Sequence, residues 1–146
     1  IRDRLYMNND NNKNIQQTFL LHSFREFLNE TDKSWNYITP YDFYHKYYHK
    51  KPFILDIREK KDFDSFHMKG AVNIFWLDLL SDENLKLLPK NKKIFVICYV
   101  GHTSSQALVI LKMLGYNAIG IKFGYGKSPV FEVPVAGWLN YNYPVV

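Results

Sequence analysis

The feature that most constrains the fold is a continuous apolar run at residues 94–97, Ile-Phe-Val-Ile, which ends at the only cysteine, Cys98. A run of this kind, rich in β-branched residues, is typical of a central parallel strand that is covered on both faces. Apolar residues then recur at helical spacing over residues 104–114, and Gly115 follows as a C-terminal cap. The pattern predicts a buried strand, a loop over residues 98–103 and an amphipathic helix.

Strand and helix patterns alternate along the rest of the chain. Strands are predicted at residues 37–38, 53–57, 71–74 and 118–122, and helices at 40–50, 60–66 and 77–88, with a closing helical turn at 138–143. Thr39 is expected to cap the helix at 40–50, with Pro40 at its first position. The alternation predicts one α/β domain with a largely parallel sheet, in which ligands bind beyond the carboxyl ends of the strands.

The amino-terminal part of the chain has a different character. Residues 1–17 are polar and rich in Asn, which predicts a flexible lead-in. Apolar residues at near-helical spacing over 18–29 predict a helix packed against the main body, and residues 18–36 are expected to form an N-terminal helical extension. Residue 1 is Ile, so a signal peptide or an upstream domain would leave no trace here. We expect a cytoplasmic protein, with export or a cell-envelope location as the alternative.

Composition excludes several classes of function. No apolar run is long enough to cross a bilayer, and no nucleic-acid motif is present, so neither a membrane span nor a nucleic-acid partner is expected. Lys and Arg exceed Asp and Glu by 19 to 14, a net charge of +5. This charge either favours small anionic substrates or forms an ordinary solvated lysine surface. With one cysteine there is no internal disulfide, and we expect no metal and no cofactor.

Cys98 lies between a predicted strand and the start of a predicted helix, a position that favours a reactive side chain. The backbone N–H groups at the start of a helix and the helix dipole favour a thiolate, which is the reactive form of cysteine. Gly101 allows the loop to curl, and Thr103 and Ser104 can cap the following helix. The predicted anion cradle consists of Tyr99, Val100, Gly101, His102, Thr103 and Ser104.

The same residues have a plainer interpretation. Cys98 can be a small buried hydrophobic residue in a loop that only connects a strand to a helix. His102 can be an exposed loop histidine, or it can supply positive charge and orient a substrate oxyanion. The loop pattern by itself leaves both possibilities open.

Four segments and the carboxyl-terminal residues resemble, in order, the motifs of a single-domain rhodanese. They are Leu-Asp-Ile-Arg at 55–58, the signature at 63–74, the cysteine loop at 98–104, the segment at 114–126, and Trp138 with Tyr-Pro-Val at 143–145. The resemblance covers about residues 37–146, and the loop is most similar to loops of a bacterial and archaeal branch. It implies a three-layer domain whose central, mostly parallel sheet has five strands and helices on both faces.

The resemblance also implies an activity. Cys98 would take a sulfane sulfur from a small donor, hold it as a persulfide and pass it to a thiol or to cyanide, with ping-pong kinetics. The amides of residues 99–103 would stabilise the anionic sulfur. Asp56 and Arg58 would lie beside the loop and brace it or add charge, and the alternative for this pair is an ordinary surface ion pair.

Departures from the family pattern limit the sulfur donors and the activities that we expect. Tyr99 and Val100 stand where thiosulfate-using relatives often carry basic residues, and Phe66 replaces the usual glycine before His67. We expect Phe66 to alter packing more than chemistry and His67 to be a structural hydrogen-bonding residue. A phosphatase or arsenate reductase of the same fold would need Arg where Ser104 stands. A non-catalytic binding module is the remaining rival, and the sequence does not indicate an oligomeric state.

Overall fold

A computed structural model describes residues 2–31, 34–130 and 135–146 of the chain, with the side chains of residues 2–11 left aside. The chain separates into two compact units, Ile1–Asp32 and Lys33–Val146. Within the described residues, no helix is both long enough and apolar enough to cross a membrane.

The first unit consists of one helix, α1, over Arg2–Glu30. The backbone of residues 2–17, for which the sequence predicts a flexible lead-in, is helical, and the flexibility itself stays a prediction. The physical reason is that Asn disfavours a helix only weakly, while the strong helix breakers Gly and Pro are missing from residues 2–30. The predicted packing of this helix against the main body stays a prediction.

The second unit is built on a five-stranded sheet in which every strand pair is parallel. Its strands are β1 (Tyr37–Ile38), β2 (Phe53–Asp56), β3 (Ala71–Asn73), β4 (Ile94–Ile97) and β5 (Ala118–Ile121), in the spatial order β1-β5-β4-β2-β3. Strand β4, the apolar run of the sequence, lies at the centre, and all four of its residues are buried. The predicted parallel sheet and its strand number are confirmed.

Helices cover both faces of the sheet because neighbouring residues of each strand point to opposite sides. The helices of this unit are α2 (Pro40–Lys46), α3 (Lys60–Ser65), α4 (Asp82–Leu87) and α5 (His102–Met113). On one face Leu55 and Val96 lie in a core cluster with Leu111 of α5. On the other face Ile54 and Phe95 lie in a second cluster with Phe43 of α2. The three-layer α/β fold predicted from the sequence is confirmed.

Local side-chain contacts decide where the helices begin and end. Thr39 caps α2 as predicted, because its Oγ1 accepts a hydrogen bond from the Asp42 N–H at 3.0 Å. The predicted helix at 77–88 is divided into a 3₁₀ turn over Trp76–Asp78 and the helix α4. The division arises where Ser81 Oγ accepts a hydrogen bond from the Asn84 N–H at 3.2 Å and so starts a new helix.

Candidate active site

Cys98 lies at the carboxyl end of β4, and α5 begins four residues later at His102. The helix begins earlier than the predicted residue 104 because Gly101 serves as its N-cap residue, with a left-handed backbone (φ 102°). The prediction that Thr103 and Ser104 cap this helix is therefore wrong, since both lie within its first turn. The connection between strand and helix is tight, and it leaves the Cys98 side chain only 1% exposed.

The Cys98 sulfur belongs to a closed ring of hydrogen bonds with Gly101 and Ser104. The Gly101 N–H donates to Sγ at 3.1 Å, and the thiol lies 3.4 Å from Ser104 Oγ, which can accept its proton. The Ser104 hydroxyl in turn donates to the Gly101 carbonyl at 2.9 Å. The amide of Gly101 is one of those expected to surround the sulfur. Buried Ser104 is a sulfur contact rather than a helix cap.

A turn after β5 holds the backbone of the cysteine loop from the other side. The Tyr125 N–H donates to the Cys98 carbonyl at 3.0 Å, and the Gly126 N–H donates to the Tyr99 carbonyl at 2.9 Å. Gly124 has φ 52°, and a Cβ at this position would lie 2.1 Å from the Cys98 carbonyl oxygen. Only glycine fits, because both the backbone conformation and the close approach exclude a side chain. Residues 124–126 therefore fix the place of the nucleophile.

Asp56 and Arg58 form a buried, two-point ion pair. Arg58 Nη2 lies 2.7 Å from Asp56 Oδ2, and Nε lies 3.0 Å from Oδ1, with the side chains 1% and 0% exposed. The alternative of an ordinary surface ion pair is wrong. Burial alone would lower the pKa of Arg58, but the hydrogen bonds and negative charge of Asp56 raise it above its usual value. The guanidinium therefore stays charged within the fold.

Tyr125 connects this ion pair to the cysteine loop. Its hydroxyl donates to Asp56 Oδ2 at 3.0 Å and accepts from the Met68 N–H at 3.0 Å, while its backbone N–H holds Cys98. The Arg58 guanidinium carbon lies 3.9 Å from the centre of the Tyr125 ring. Burial and the nearby Asp56 carboxylate raise the pKa of Tyr125, so its hydroxyl remains a donor. The ion pair thus acts on the loop through one tyrosine.

Phe66 and His67 have structural contacts in the described chain. The Phe66 carbonyl accepts from Arg58 Nη2 at 2.7 Å, and its ring lies 4.6 Å from the guanidinium carbon. His67 Nδ1 lies 2.9 Å from the Phe63 carbonyl, and the His67 backbone exchanges two hydrogen bonds with Val146. Where the family has glycine, the chain thus has an aromatic wall over the arginine.

Tyr99 extends from the cysteine loop to α3. Its hydroxyl donates to the Asp62 carboxylate and accepts a long hydrogen bond from the Glu59 N–H at 3.4 Å. Burial and the hydrogen bond with Asp62 raise the pKa of Tyr99, which keeps the phenol neutral. The sequence identified Tyr99 as a loop residue but did not identify Glu59 and Asp62 as its neighbours. Nor did it identify Tyr125 as a partner of the Cys98 carbonyl. An acidic residue in the first turn of α3 is the one local signal for Asp62.

A cavity of about 200 Å³ opens onto the cysteine. Its wall is formed by Glu59, Cys98, Tyr99, Val100, His102, Thr103, Ser128, Pro129 and Val130. The predicted loop residues Tyr99, Val100, His102 and Thr103 are thus brought together at one opening. Asp56, Arg58 and Ser104 lie in the buried layer behind it. The volume suits a small molecule, and Glu59 places a carboxylate at its wall.

Comparison with known proteins identifies the family. The family model of the rhodanese-like domain matches residues 39–125, more than half of the chain. The chain belongs to the rhodanese-like domain family. The match runs from the cap of α2 to Tyr125 and includes the cysteine loop. The Cys98 site is therefore interpreted by comparison with this family.

Curated relatives add a sulfurtransferase connection. The chain is 33% identical over 87 residues to the adenylyltransferase and sulfurtransferase UBA4 of Yarrowia lipolytica, a match that covers 60% of this chain and 22% of that protein. It is 35% identical over 82 residues to UBA4 of Meyerozyma guilliermondii, covering 51% and 19%. The chain spans about a fifth of the length of these relatives. They support a protein of the sulfurtransferase type.

Solved structures support the same fold. A rhodanese-related protein from Thermoplasma volcanium superposes with a TM-score of 0.62 at 28% identity, covering 75% of this chain and 96% of that one. The Alr3790 protein from Anabaena superposes with a TM-score of 0.58 at 21% identity, covering 75% and 81%, and shows the fold alone. The curated relatives are yeast proteins, so the expected link to a bacterial and archaeal branch stays a prediction.

Proposed function

We propose that this rhodanese-like domain is a sulfurtransferase that carries a sulfane sulfur as a persulfide on Cys98. The observation that carries the proposal is the position of the Cys98 sulfur. It lies at the carboxyl end of the central strand, accepts the Gly101 N–H at 3.1 Å and opens onto a small cavity. A cysteine with a space-filling role alone would need neither the cavity nor a backbone donor aimed at its sulfur.

The first half-reaction loads the cysteine. The Cys98 thiolate attacks the sulfane sulfur of a donor, and the bond between that sulfur and the rest of the donor breaks. The electron pair of that bond leaves with the donor, and Cys98 becomes a persulfide. When the thiol loses its proton, the hydroxyl of Ser104, 3.4 Å away, can rotate and donate to the sulfur. Gly101 and Ser104 together then stabilise the developing negative charge.

The second half-reaction unloads the cysteine. A nucleophile such as cyanide or a thiolate attacks the outer sulfur of the persulfide, and the sulfur–sulfur bond breaks. Its electron pair returns to Cys98 as a thiolate, and the acceptor leaves as thiocyanate or as a new persulfide. Since each half-reaction returns a species that the same Gly101 and Ser104 donors can stabilise, one site serves both.

Charged side chains at the wall of the Cys98 cavity influence which sulfur donor binds there. Thiosulfate is a dianion, and Glu59 is the acidic side chain at the wall of the Cys98 cavity. Its carboxylate is paired with the Lys61 ammonium, with Oε2 and Nζ 2.8 Å apart. The described wall contains no Lys or Arg, so a dianion meets no side-chain cation of these types there, and a neutral donor is favoured over thiosulfate. The uncharged side chains of Tyr99 and Val100 favour the same donor.

The test measures the loading of Cys98 with sulfur and the turnover of several sulfur donors. The protein is incubated with thiosulfate and with low-molecular-weight persulfides, followed by intact-protein mass spectrometry and a cyanide-dependent thiocyanate assay. Wild type is expected to gain the mass of one sulfur atom and to form thiocyanate, whereas Cys98→Ser gains neither and stays folded. If no donor gives a Cys98-dependent adduct or turnover, the proposal fails and the non-catalytic binding module is favoured. Hydrolysis of a phosphate ester by the wild type would favour a phosphatase instead.

Two serine variants sharpen the experiment. The hydroxyls of Ser104 and Ser105 both donate to the Gly101 carbonyl, at 2.9 and 2.8 Å, but Ser104 is the one in contact with the Cys98 sulfur. Losing one hydrogen bond to the reacting sulfur should lower kcat/KM about tenfold in Ser104→Ala. Ser105→Ala should stay close to wild type, and equal losses in the two variants would contradict the role given to Ser104.

A further inference from the structure

A second and larger cavity lies on the other side of the cysteine loop. Its volume is about 490 Å³, more than twice that of the cavity at Cys98. Both cavities are lined by Val100 and His102, so they meet at the loop that carries the nucleophile. The remaining wall of the larger cavity is formed by Ser34, Trp35, Tyr37, Thr39, Gly101, Ser105, Lys122, Phe123 and Val135. Sulfur transfer to cyanide needs none of this space.

Trp35 is the most unusual residue of this wall. It is 77% exposed, although a large aromatic side chain gains free energy when it is buried. Its backbone is left-handed (φ 55°), and so is that of Phe123, which lines the same cavity (φ 60°). A left-handed backbone is rare for bulky residues and costs conformational free energy at each. Strain of this kind concentrates at binding sites, where it holds a side chain in place.

The two aromatic residues flank a pair of hydrogen-bonded strands, Trp35 two residues before β1 and Phe123 two residues after β5. The Gly120 N–H donates to the carbonyl of Asn36, the residue after Trp35, and the Lys122 N–H donates to the Ile38 carbonyl, both at 2.9 Å. The floor between them is tied to the cysteine loop, because the Tyr37 hydroxyl lies 2.6 Å from Ser105 Oγ, which donates to the Gly101 carbonyl. The cavity is therefore built on the same framework as the nucleophile.

The described wall of the larger cavity contains a lysine, which the described wall of the smaller one lacks. Lys122 provides an ammonium group 5.2 Å from the centre of the Phe123 ring. The positive end of the α5 dipole lies at His102 on the same wall. Aromatic surface beside a cation is suited to an organic anion with a planar body.

We propose that the larger cavity binds the body of a thiol acceptor that combines a planar, apolar ring with a carboxylate. The inference rests on the proposed sulfur transfer. The ring lies along Trp35 and Phe123, the carboxylate meets Lys122, and the sulfur reaches past His102 to the persulfide. The acceptor thiolate attacks the outer sulfur, the sulfur–sulfur bond breaks with its electron pair returning to Cys98, and the acceptor leaves as an aromatic persulfide.

Binding is tested separately from turnover, with 2-mercaptobenzoate as the probe and Cys98→Ser as the protein. Trp35 is the exposed one of the three tryptophans, so its fluorescence should change on titration. Removing the cation (Lys122→Gln) or the ring (Trp35→Ala) should weaken binding about fivefold or more. Lys112→Gln, in the last turn of α5, is the matched control and should bind like the parent protein. Thiophenol, which lacks the carboxylate, should bind more weakly and show no effect of Lys122→Gln.

Kinetics distinguish failure of this inference from failure of the proposed function. In the otherwise wild-type protein, Trp35→Ala and Lys122→Gln should lower kcat/KM for 2-mercaptobenzoate and leave cyanide turnover unchanged. If cyanide turnover occurs but neither change affects the aromatic thiol, the acceptor site is overturned and sulfur transfer stands. If no acceptor is turned over, sulfur transfer fails, and with it the acceptor role of the cavity, whatever the binding titration gives.

Discussion

At the scale of single residues, the Asp56–Arg58 pair positions the cysteine loop and takes no direct part in the proposed chemistry. The pair has no contact with the Cys98 sulfur, yet Tyr125 binds both the Asp56 carboxylate and the Cys98 carbonyl. The aromatic rings of Phe66 and Tyr125 lie against the guanidinium at 4.6 and 3.9 Å. We therefore expect changes at Arg58 to act first on stability, and on sulfur transfer only through the loop.

Replacing Arg58 by Ala tests this view. The change leaves the Asp56 carboxylate buried without its partner, which costs about 3–5 kcal/mol in the free energy of unfolding. Urea denaturation measures the loss. The control is Lys46→Ala, which breaks an exposed ion pair with Asp42 at 2.7 Å and should leave unfolding close to wild type. A similar midpoint for both variants would show that burial does not decide the strength of the pair.

At the scale of elements, the site depends on how two turns meet. The loop after β4 carries the nucleophile, and the turn after β5 supplies two backbone donors to that loop. The contact is close because Gly124 has no side chain. The two connections follow adjacent parallel strands, so the sheet register brings them together.

Two glycine variants separate backbone strain from steric clash. Gly124 and Gly115 both have positive φ, at 52° and 80°, and alanine at either site costs about 1–2 kcal/mol in conformation. At Gly115 nothing lies within 4 Å of an added Cβ, whereas at Gly124 the Cys98 carbonyl oxygen would be 2.1 Å away. Gly124→Ala should therefore lower the thermal midpoint more than Gly115→Ala and should slow Cys98 loading. Equal effects on both measurements would contradict the close contact.

The sequence predicted features that depend on neighbouring residues and missed contacts between residues that are far apart in the chain. The apolar run at β4, the Thr39 cap and the position of Cys98 follow from neighbouring residues, and all of them could be read directly. The start of α5 could not, since Gly101 takes a left-handed backbone that lets the helix begin four residues after the cysteine. The role of Tyr125 could not be predicted either. Its bond to Asp56 spans 69 residues and depends on the sheet register, which a single sequence does not show.

At the scale of the whole molecule, the chain consists of a helical unit and a unit that holds every described part of the site. Both hydrophobic clusters of the sheet are built from residues of the second unit. The buried ion pair and both cavities at the cysteine loop are also formed there. The second unit thus contains a complete core of its own.

A chain of residues 33–146 should therefore fold and function alone. We expect cooperative unfolding and Cys98-dependent thiocyanate formation, with kcat/KM for cyanide close to that of the full chain, because the loop keeps all its contacts. Thermal unfolding followed by circular dichroism and the thiocyanate assay measure the two properties. A shortened chain that unfolds without cooperativity would show that residues 1–32 take part in the core.

The burial of Cys98 behind a small cavity has a consequence for the lifetime of the proposed persulfide as well as for selectivity. A sulfur atom held there is 1% exposed at its attachment point and is reached through a space of about 200 Å³. For the proposed persulfide, bulk reductants and oxidants have to enter the cavities at the cysteine loop, so its lifetime depends on access as well as on intrinsic reactivity. Burial of Cys98 therefore favours a persulfide that persists until a molecule of fitting shape arrives.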